Sequence, residues 1–296
     1  MKRTMTILLL MMGLLCPAAA QEADSLLIMF WNVENFFDPV PDGTSPSELE
    51  FSSTGARRWS RRRFYTKCNA VAKTMLAVAD RCGRLPDAVG LVEVENGNVL
   101  KKLCGSTMLR RLDYSYVHYE SPDHRGIDCG LLYRRSTLLP VDSKPCHLYD
   151  SSGAVMATRD ILLVRFDSLS VLVNHHPSKV GSGGGRDVAM DRMNGICDSL
   201  ETAGFRRILC VGDFNDDVWH NSARTEGTIK YNGAWEKIDG HFSRGFSRVR
   251  EEIMDLPFLL TEDSAFGGMK PLRTYSGPRY LGGVSDHLPI VVTVYF

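Results

Sequence analysis

Ile208-Leu-Cys-Val-Gly-Asp-Phe-Asn-Asp-Asp217 is an apolar run of strand length that stops at glycine and opens directly into polar side chains. The middle of a buried strand cannot hold a carboxylate and a carboxamide without partners, but its end can project both into a cleft. Residues two apart on a strand share a face, so Asp213 and Asn215 point the same way. A carboxylate that accepts a proton beside an amide that donates to an anionic oxygen is what phosphate ester hydrolysis requires. Near the C-terminus, Ser285-Asp286-His287 sets an acid beside an imidazole ahead of the apolar segment from Leu288 to Phe296. These two stretches, with earlier ones, are expected to close a single metal-assisted phosphoesterase site.

Working outward, other apolar segments end in the same manner. Leu26 to Val33 reads as a strand leaving through Trp31-Asn32-Val33-Glu34-Asn35. Ala88 to Val94 reads as another, whose exit carries Glu93, Glu95 and Asn96. Tyr114 to Tyr119 alternates as a half-exposed strand does, and Cys129 to Tyr133 is short and apolar; Asp123, His124 and Arg125 lie in the polar loop between them. Ile161 to Phe166 and Leu169 to Val173 form an expected hairpin, the second arm running into Asn174-His175-His176. Helices are expected up to Asp80, after the cluster Arg57, Arg58, Arg61, Arg62 and Arg63, and from about Arg186 to Thr202. The arginine cluster reads either as a solvated helix start or as a contact for a polyanionic substrate. Gly181 to Gly185 is not a phosphate loop, because no Gly-Lys-Ser/Thr follows. Trp219 to Pro278 reads as loops and short pieces, with one strand near Trp235 to Asp239.

Singly, each polar strand end has an ordinary explanation: a solvated acid, a turn asparagine, a surface histidine. Five in one chain are hard to credit to turns. The ordered series Trp31-Asn32-Val33-Glu34-Asn35, Gly90-Leu-Val-Glu93-Val-Glu-Asn96, Asn174-His175, Gly212-Asp213-Phe-Asn215 and Ser285-Asp286-His287 resembles the endonuclease/exonuclease/phosphatase superfamily, the DNase I-like fold. The resemblance spans nearly all of the chain after residue 20. It implies an α/β fold, a four-layer αββα sandwich of two packed sheets flanked by helices, with the site at one end.

Carried over residue by residue, the resemblance implies the following roles. Glu93 would be the principal ligand of Mg²⁺, with Mn²⁺ or Ca²⁺ as the other candidates, and Asp286 would touch the same ion. Asn32 would hold the phosphate and Asp213. Asp213 would orient or deprotonate the attacking water, and Asn215 would donate to a non-bridging oxygen. His287, oriented by Asp239, and His175 would stabilise the transition state from opposite sides. His176 would be a wall residue. Arg125 and Arg159 are either phosphate clamps or scaffold ion pairs, both readings staying open.

The first twenty residues, with Lys2 and Arg3, an apolar run from Met5 to Leu15, then Ala18-Ala19-Ala20, match a secretory signal peptide. Export to a periplasm or the exterior is therefore expected, with lipid attachment at Cys16 the less favoured processing because bulky Leu15 precedes it. Residues 21–296 are expected to form one catalytic domain with no transmembrane helix, acting as a monomer. Without the leader, 33 of the 35 basic residues face 35 acidic ones, so no global charge excess draws a polyanion. Seven cysteines remain with no C-x-x-C pair, which signals neither a disulfide framework nor a structural zinc site. Cys129 and Cys210, inside apolar runs, read as buried thiols. The expected activity is an exported metal-dependent phosphodiesterase or nuclease acting on a phosphate ester substrate, nucleic acid among the candidates. A lipid or inositol phosphate hydrolase of the same fold and an inactive binding module are the alternatives. No Gly-x-Ser-x-Gly elbow supports a metal-free hydrolase.

Overall fold

A computed structural model describes residues 24–40, 45–178, 184–217 and 226–296. Residues 1–23, on which the expected leader and Cys16 fall, Trp219 and part of the Gly181 to Gly185 tract lie outside the described residues. Strands β1 (Ser25–Phe36), β2 (Ala88–Val94), β3 (Tyr114–His118) and β4 (Asp128–Arg134) come from the first half of the chain. They are joined through helices α1 (Pro46–Glu50), α2 (Arg61–Cys82) and α3 (Gly97–Ser106). Strands β5 (Pro140–Cys146), β6 (Ile161–Phe166) and β7 (Ser170–His175) precede α4 (Gly185–Thr202) and β8 (Ile208–Asp213). Short strands β9 (Ile229–Tyr231) and β10 (Ala234–Glu236) lead to β11 (Asp239–Arg244) and β12 (Arg248–Ile253). Two small hairpins, β13 (Leu260–Glu262) with β14 (Met269–Pro271) and β15 (Tyr275–Ser276) with β16 (Arg279–Tyr280), come before β17 (Ile290–Tyr295).

The main strands form two sheets, ordered β12-β17-β1-β2-β4-β3 and β11-β8-β7-β6-β5. Side-chain alternation then divides the apolar residues into three cores. On β1, Leu27, Met29 and Trp31 face helices α2 and α3, whereas Ile28 and Phe30 face the second sheet. Val164, Val171, Val173, Leu209 and Val211 fill that middle core from the other side. On the outer face of the second sheet, Leu163, Leu172, Ile208 and Cys210 pack against Met193, Ile196 and Leu200 of α4. Helix, sheet, sheet, helix is the four-layer αββα arrangement anticipated from the resemblance.

Local sequence explains the helix positions. Ser60 caps α2 through its hydroxyl, and Gly83 ends it in the left-handed region at φ 71°. Phe64, Cys68, Val71, Met75 and Val78 recur at helical spacing and are buried. The structure also corrects the sequence reading. The region from Trp219 to Pro278 holds two six-residue strands, β11 and β12, each pairing at a sheet edge. The strand expected near Trp235 to Asp239 is the end of β10 and the start of β11. β12 is charged and exposed at every second residue, and β11 carries Asp239, His241, Ser243 and Arg244, so no apolar run announces either. Edge strand β5, with Pro140 and Pro145, and the short helix α3 were likewise unannounced. The seven described cysteines are all free thiols.

Candidate active site

Pairing register brings the polar strand ends to one edge of the sandwich. In the second sheet, Asp213 stands beside His175 on β7 and beside Asp239 on β11. From the first sheet, Asn32 on β1 reaches across, its Nδ2 donating to Asp213 Oδ2 at 3.0 Å. The other Asp213 oxygen, Oδ1, accepts the backbone N–H of Asn215 at 3.0 Å. His287 Nδ1 lies 2.8 Å from Asp239 Oδ2, and its Nε2 is 3.9 Å from Asp213 Oδ2. His175 Nε2 is 3.8 Å from the same Asp213 oxygen and 4.0 Å from Glu93 Oε1. These last separations exceed a direct hydrogen bond.

The first sheet supplies a second cluster. Asn35 N–H donates to Glu93 Oε2 at 2.7 Å, and Arg125 Nη2 lies 3.4 Å from that oxygen and 2.9 Å from Asn35 Oδ1. Arg273 bridges two carboxylates, donating to Glu34 Oε1 at 3.0 Å and to Asp286 Oδ2 at 2.9 Å. Buried Lys67 donates to Glu34 O and, at 2.9 Å, to Thr274 Oγ1. Asp286 Oδ1 stands 3.9 Å from His287 Nε2. The turn holding His287 is pinned by Ser285, whose hydroxyl donates to Asn32 O at 2.6 Å, and by Trp31, whose indole N–H donates to His287 O at 2.9 Å.

Backbone strain concentrates here. Glu34, Asn35, Glu93 and Asn215, four of the seven described non-glycine residues of positive φ, have values from 47° to 62°. Each such residue costs about 1–2 kcal/mol, less for asparagine, and persists because its surroundings enforce it. In these positions the strain turns a backbone N–H of Asn35 onto Glu93 and that of Asn215 onto Asp213.

Electrostatics separate the groups. Burial and the neighbouring Asp239 carboxylate push Asp213 up to about 7. Burial alone would depress His287, but Asp239 and Asp213 hold it well above the usual histidine value. His175 goes the opposite way, held neutral by burial and by the Arg159 and Arg125 charges. Against burial, Arg125 and the Asn35 N–H keep Glu93 below its ordinary value and therefore ionised. Burial and Asp286 raise Glu34 to about 7, while burial lowers Lys67 to about 8.

Asn32, Glu93, His175, Asp213, Asp239, Asp286 and His287 thus share one rim. Arg125 joins it as the partner of Glu93. The Asn215 side chain is partly engaged elsewhere, its Nδ2 donating to His176 O at 2.9 Å. Arg159 lies in the scaffold, 3.3 Å from Asp123 Oδ2 and donating to His176 O at 2.8 Å. His176 is a buried wall residue with its ring edge-on to Phe214. Sequence reasoning missed Arg273 and Lys67; a single arginine in an irregular stretch carries no signal, and Lys67 was hidden among helix surface charges. Among the described residues, two groups bring three potential metal-ligating atoms within 4.8 Å: Asp213, Asp239 and His287, and His118, Glu120 and Asp128. Glu93 and Asp286 form no such group.

The Endonuclease/Exonuclease/phosphatase family profile matches residues 27–233 and 223–295. Among solved structures, TDP2 from C. elegans is similar at TM-score 0.57 and 16% identity, covering 94% of this chain and 78% of that one. A mannosyl-6-phosphatase from Bacteroides thetaiotaomicron VPI-5482 aligns at TM-score 0.57 and 15% identity, covering 92% and 100%. The human Nocturnin catalytic domain aligns at TM-score 0.54 and 14% identity, covering 93% and 98%. A comparison with curated proteins finds none that matches.

Proposed function

The chain belongs to the endonuclease/exonuclease/phosphatase family, and from that premise we propose that it is an exported, divalent-metal-dependent hydrolase of phosphodiesters. The observation that carries the chemistry is the placement of Asp213 between Asn32, the Asn215 N–H and the two imidazoles. Asp213 orients the attacking water and takes its proton, since the water must sit within hydrogen-bond reach of a carboxylate held ready to accept one. Asn32 fixes the carboxylate from the first sheet. Asp239 orients the His287 ring and keeps it protonated, so that Nε2 donates to a non-bridging phosphate oxygen as negative charge grows there. Neutral His175 faces the same oxygens from the β7 side.

The Glu93 carboxylate fits a hard divalent cation: it is an oxygen donor, ionised, and anchored through Oε2 alone. When bound, such an ion neutralises charge on the phosphate and on the leaving oxygen. Asp286, reached by Arg273, is the second oxygen donor. The leader-like segment before residue 21 supports export. Monoester hydrolysis is the second reading, supported by the likeness to the mannosyl-6-phosphatase.

Purified protein is offered plasmid DNA, a bis-aryl phosphodiester, a phosphomonoester and sphingomyelin, each with Mg²⁺ or with excess chelator. Diester cleavage that chelator abolishes is expected; activity that survives chelator removes the role given to Glu93. Asp213→Asn and His287→Ala are expected to lower kcat by about a hundredfold or more with folding intact. Near-normal rates in either variant overturn the assignment.

A further inference from the structure

Five arginines stand within seven residues, Arg57, Arg58, Arg61, Arg62 and Arg63, in a chain whose formal charge is zero overall. Three of them occupy the first turn of α2, which carries no acid. Cations there oppose the helix macrodipole, so α2 itself gives no reason to collect them, although Arg57 pairs with Glu50 at 2.7 Å and Arg63 donates to Arg57 O at 2.7 Å. Arg57 and Arg63 are shaped by packing: the Arg57 guanidinium lies 5.3 Å from the Tyr275 ring and Arg63 lies 4.3 Å from the Tyr280 ring. Arg58 and Arg62 are exposed, and Arg62 is close enough to bias Tyr280 electrostatically. Arg279 is exposed beside Tyr280.

This surface is continuous with the catalytic rim. A cavity of about 110 Å³ is lined by Asn35, Arg57, Arg273 and Tyr275, among others. Asn35 touches Glu93 and Arg273 touches Asp286, so the cavity opens beside the groups that would meet the scissile phosphate. From there the arginines lead outward over the two tyrosines.

We propose that the surface from Arg273 through Arg57 to Arg58, Arg62 and Arg279 binds the flanking phosphates of a nucleic-acid strand whose scissile diester lies at Asp213. This rests on the phosphodiesterase reading and narrows its substrate class to a polymer. Guanidinium groups suit repeated phosphates, presenting several donors in a fixed plane, and Arg57 is backed by the Tyr275 ring. An anionic membrane fits less well: over residues 57–65 and 273–281, Leu281 is the single large exposed aliphatic side chain, and insertion needs an apolar cluster.

The test compares the wild-type full chain with Arg58→Gln/Arg62→Gln. Anisotropy of a labelled single-stranded 20-mer is measured with Mg²⁺ across a salt series. The double variant is expected to bind about tenfold more weakly, and the slope of log K against log salt to flatten by about 0.7 per arginine removed. Its kcat/KM on the oligonucleotide is expected to fall about tenfold more than its kcat/KM on a bis-aryl phosphodiester. Unchanged binding and slope overturn the proposal, as does an equal fall on both substrates. Loss of binding to phosphatidylglycerol vesicles with oligonucleotide binding intact overturns it in favour of a membrane. A wild type that hydrolyses no ester yet shows the expected anisotropy change sinks the catalytic reading and leaves the binding surface standing.

Discussion

Asp213 and His287 carry opposite demands on the proton, and Asp239 sets both. Asp213 must be ionised to accept a proton and sits at about 7, so kcat/KM is expected to rise as pH climbs through about 7. His287 must be protonated to donate, and its raised value places the falling limb well above the ordinary histidine range. Asp239→Asn removes a negative charge that raises both groups. Asp213 then loses its proton more readily and His287 holds its proton less well, so both limbs of the pH profile are expected to move to lower pH. The limbs belong to the coupled pair, so their joint displacement is the diagnostic. A profile displaced upward, or one limb alone moving, contradicts these roles. His175, Asp213 and His287 were legible in sequence because each follows or precedes an apolar run. Arg273 was not, since its meaning arises from Glu34 and Asp286, distant in sequence and adjacent only after folding.

Strand β8 shows how an element delivers such a residue. It is buried along its whole length between β7 and β11, and Gly212 lies opposite Asn174 in the parallel register. A Cβ added at Gly212 would lie 2.6 Å from Asn174 Cβ and 2.9 Å from Asn174 O, so the backbones meet there only with glycine. Gly212→Ala is expected to destabilise the protein by about 1–3 kcal/mol, as overpacking does, and to lower kcat because Asp213 is the next residue. Urea unfolding and steady-state kinetics measure the two effects; a variant unchanged in both would show that β8 can shift freely. The central strands β1, β2, β4, β6, β7, β8 and β17 were readable because burial on both faces leaves near-continuous apolar runs. By contrast, β11 (Asp-Gly-His-Phe-Ser-Arg) and β12 (Arg-Val-Arg-Glu-Glu-Ile) lie at sheet edges and are polar at most positions, β12 being exposed at every second one. Their identity depends on the neighbour that pairs with them, which a local pattern does not contain. Asp239, the first residue of β11, could therefore be matched only by its position in Lys237-Ile-Asp239.

Across the whole molecule, the rim is assembled from both sheets. Asn32 and Glu93 come from the first sheet, and His175, Asp213 and Asp239 from the second. The middle core fixes the separation between sheets, while like charges gather at the open end: burial and Asp239 raise Asp213 within the second sheet, and burial and Asp286 raise Glu34 at the first. A cation at Glu93 of the first sheet with a phosphate reaching His175 of the second would join the two sheets. Because such ligands bind only the folded arrangement, they stabilise it by mass action, by about 2.7 kcal/mol at a hundredfold excess over Kd. Mg²⁺ with inorganic phosphate is therefore expected to raise Tm by about 5–10 °C, given about 2–4 °C per kcal/mol for a domain near this size. Excess chelator should return Tm to its starting value, and Glu93→Gln should lose the Mg²⁺-dependent part of the increase while retaining the fold. Calorimetry with Mg²⁺ alone, phosphate alone and both together separates the contributions. If Mg²⁺ raised Tm equally in the wild type and Glu93→Gln, the ion would be held elsewhere, with the Asp213, Asp239 and His287 group as the next candidate.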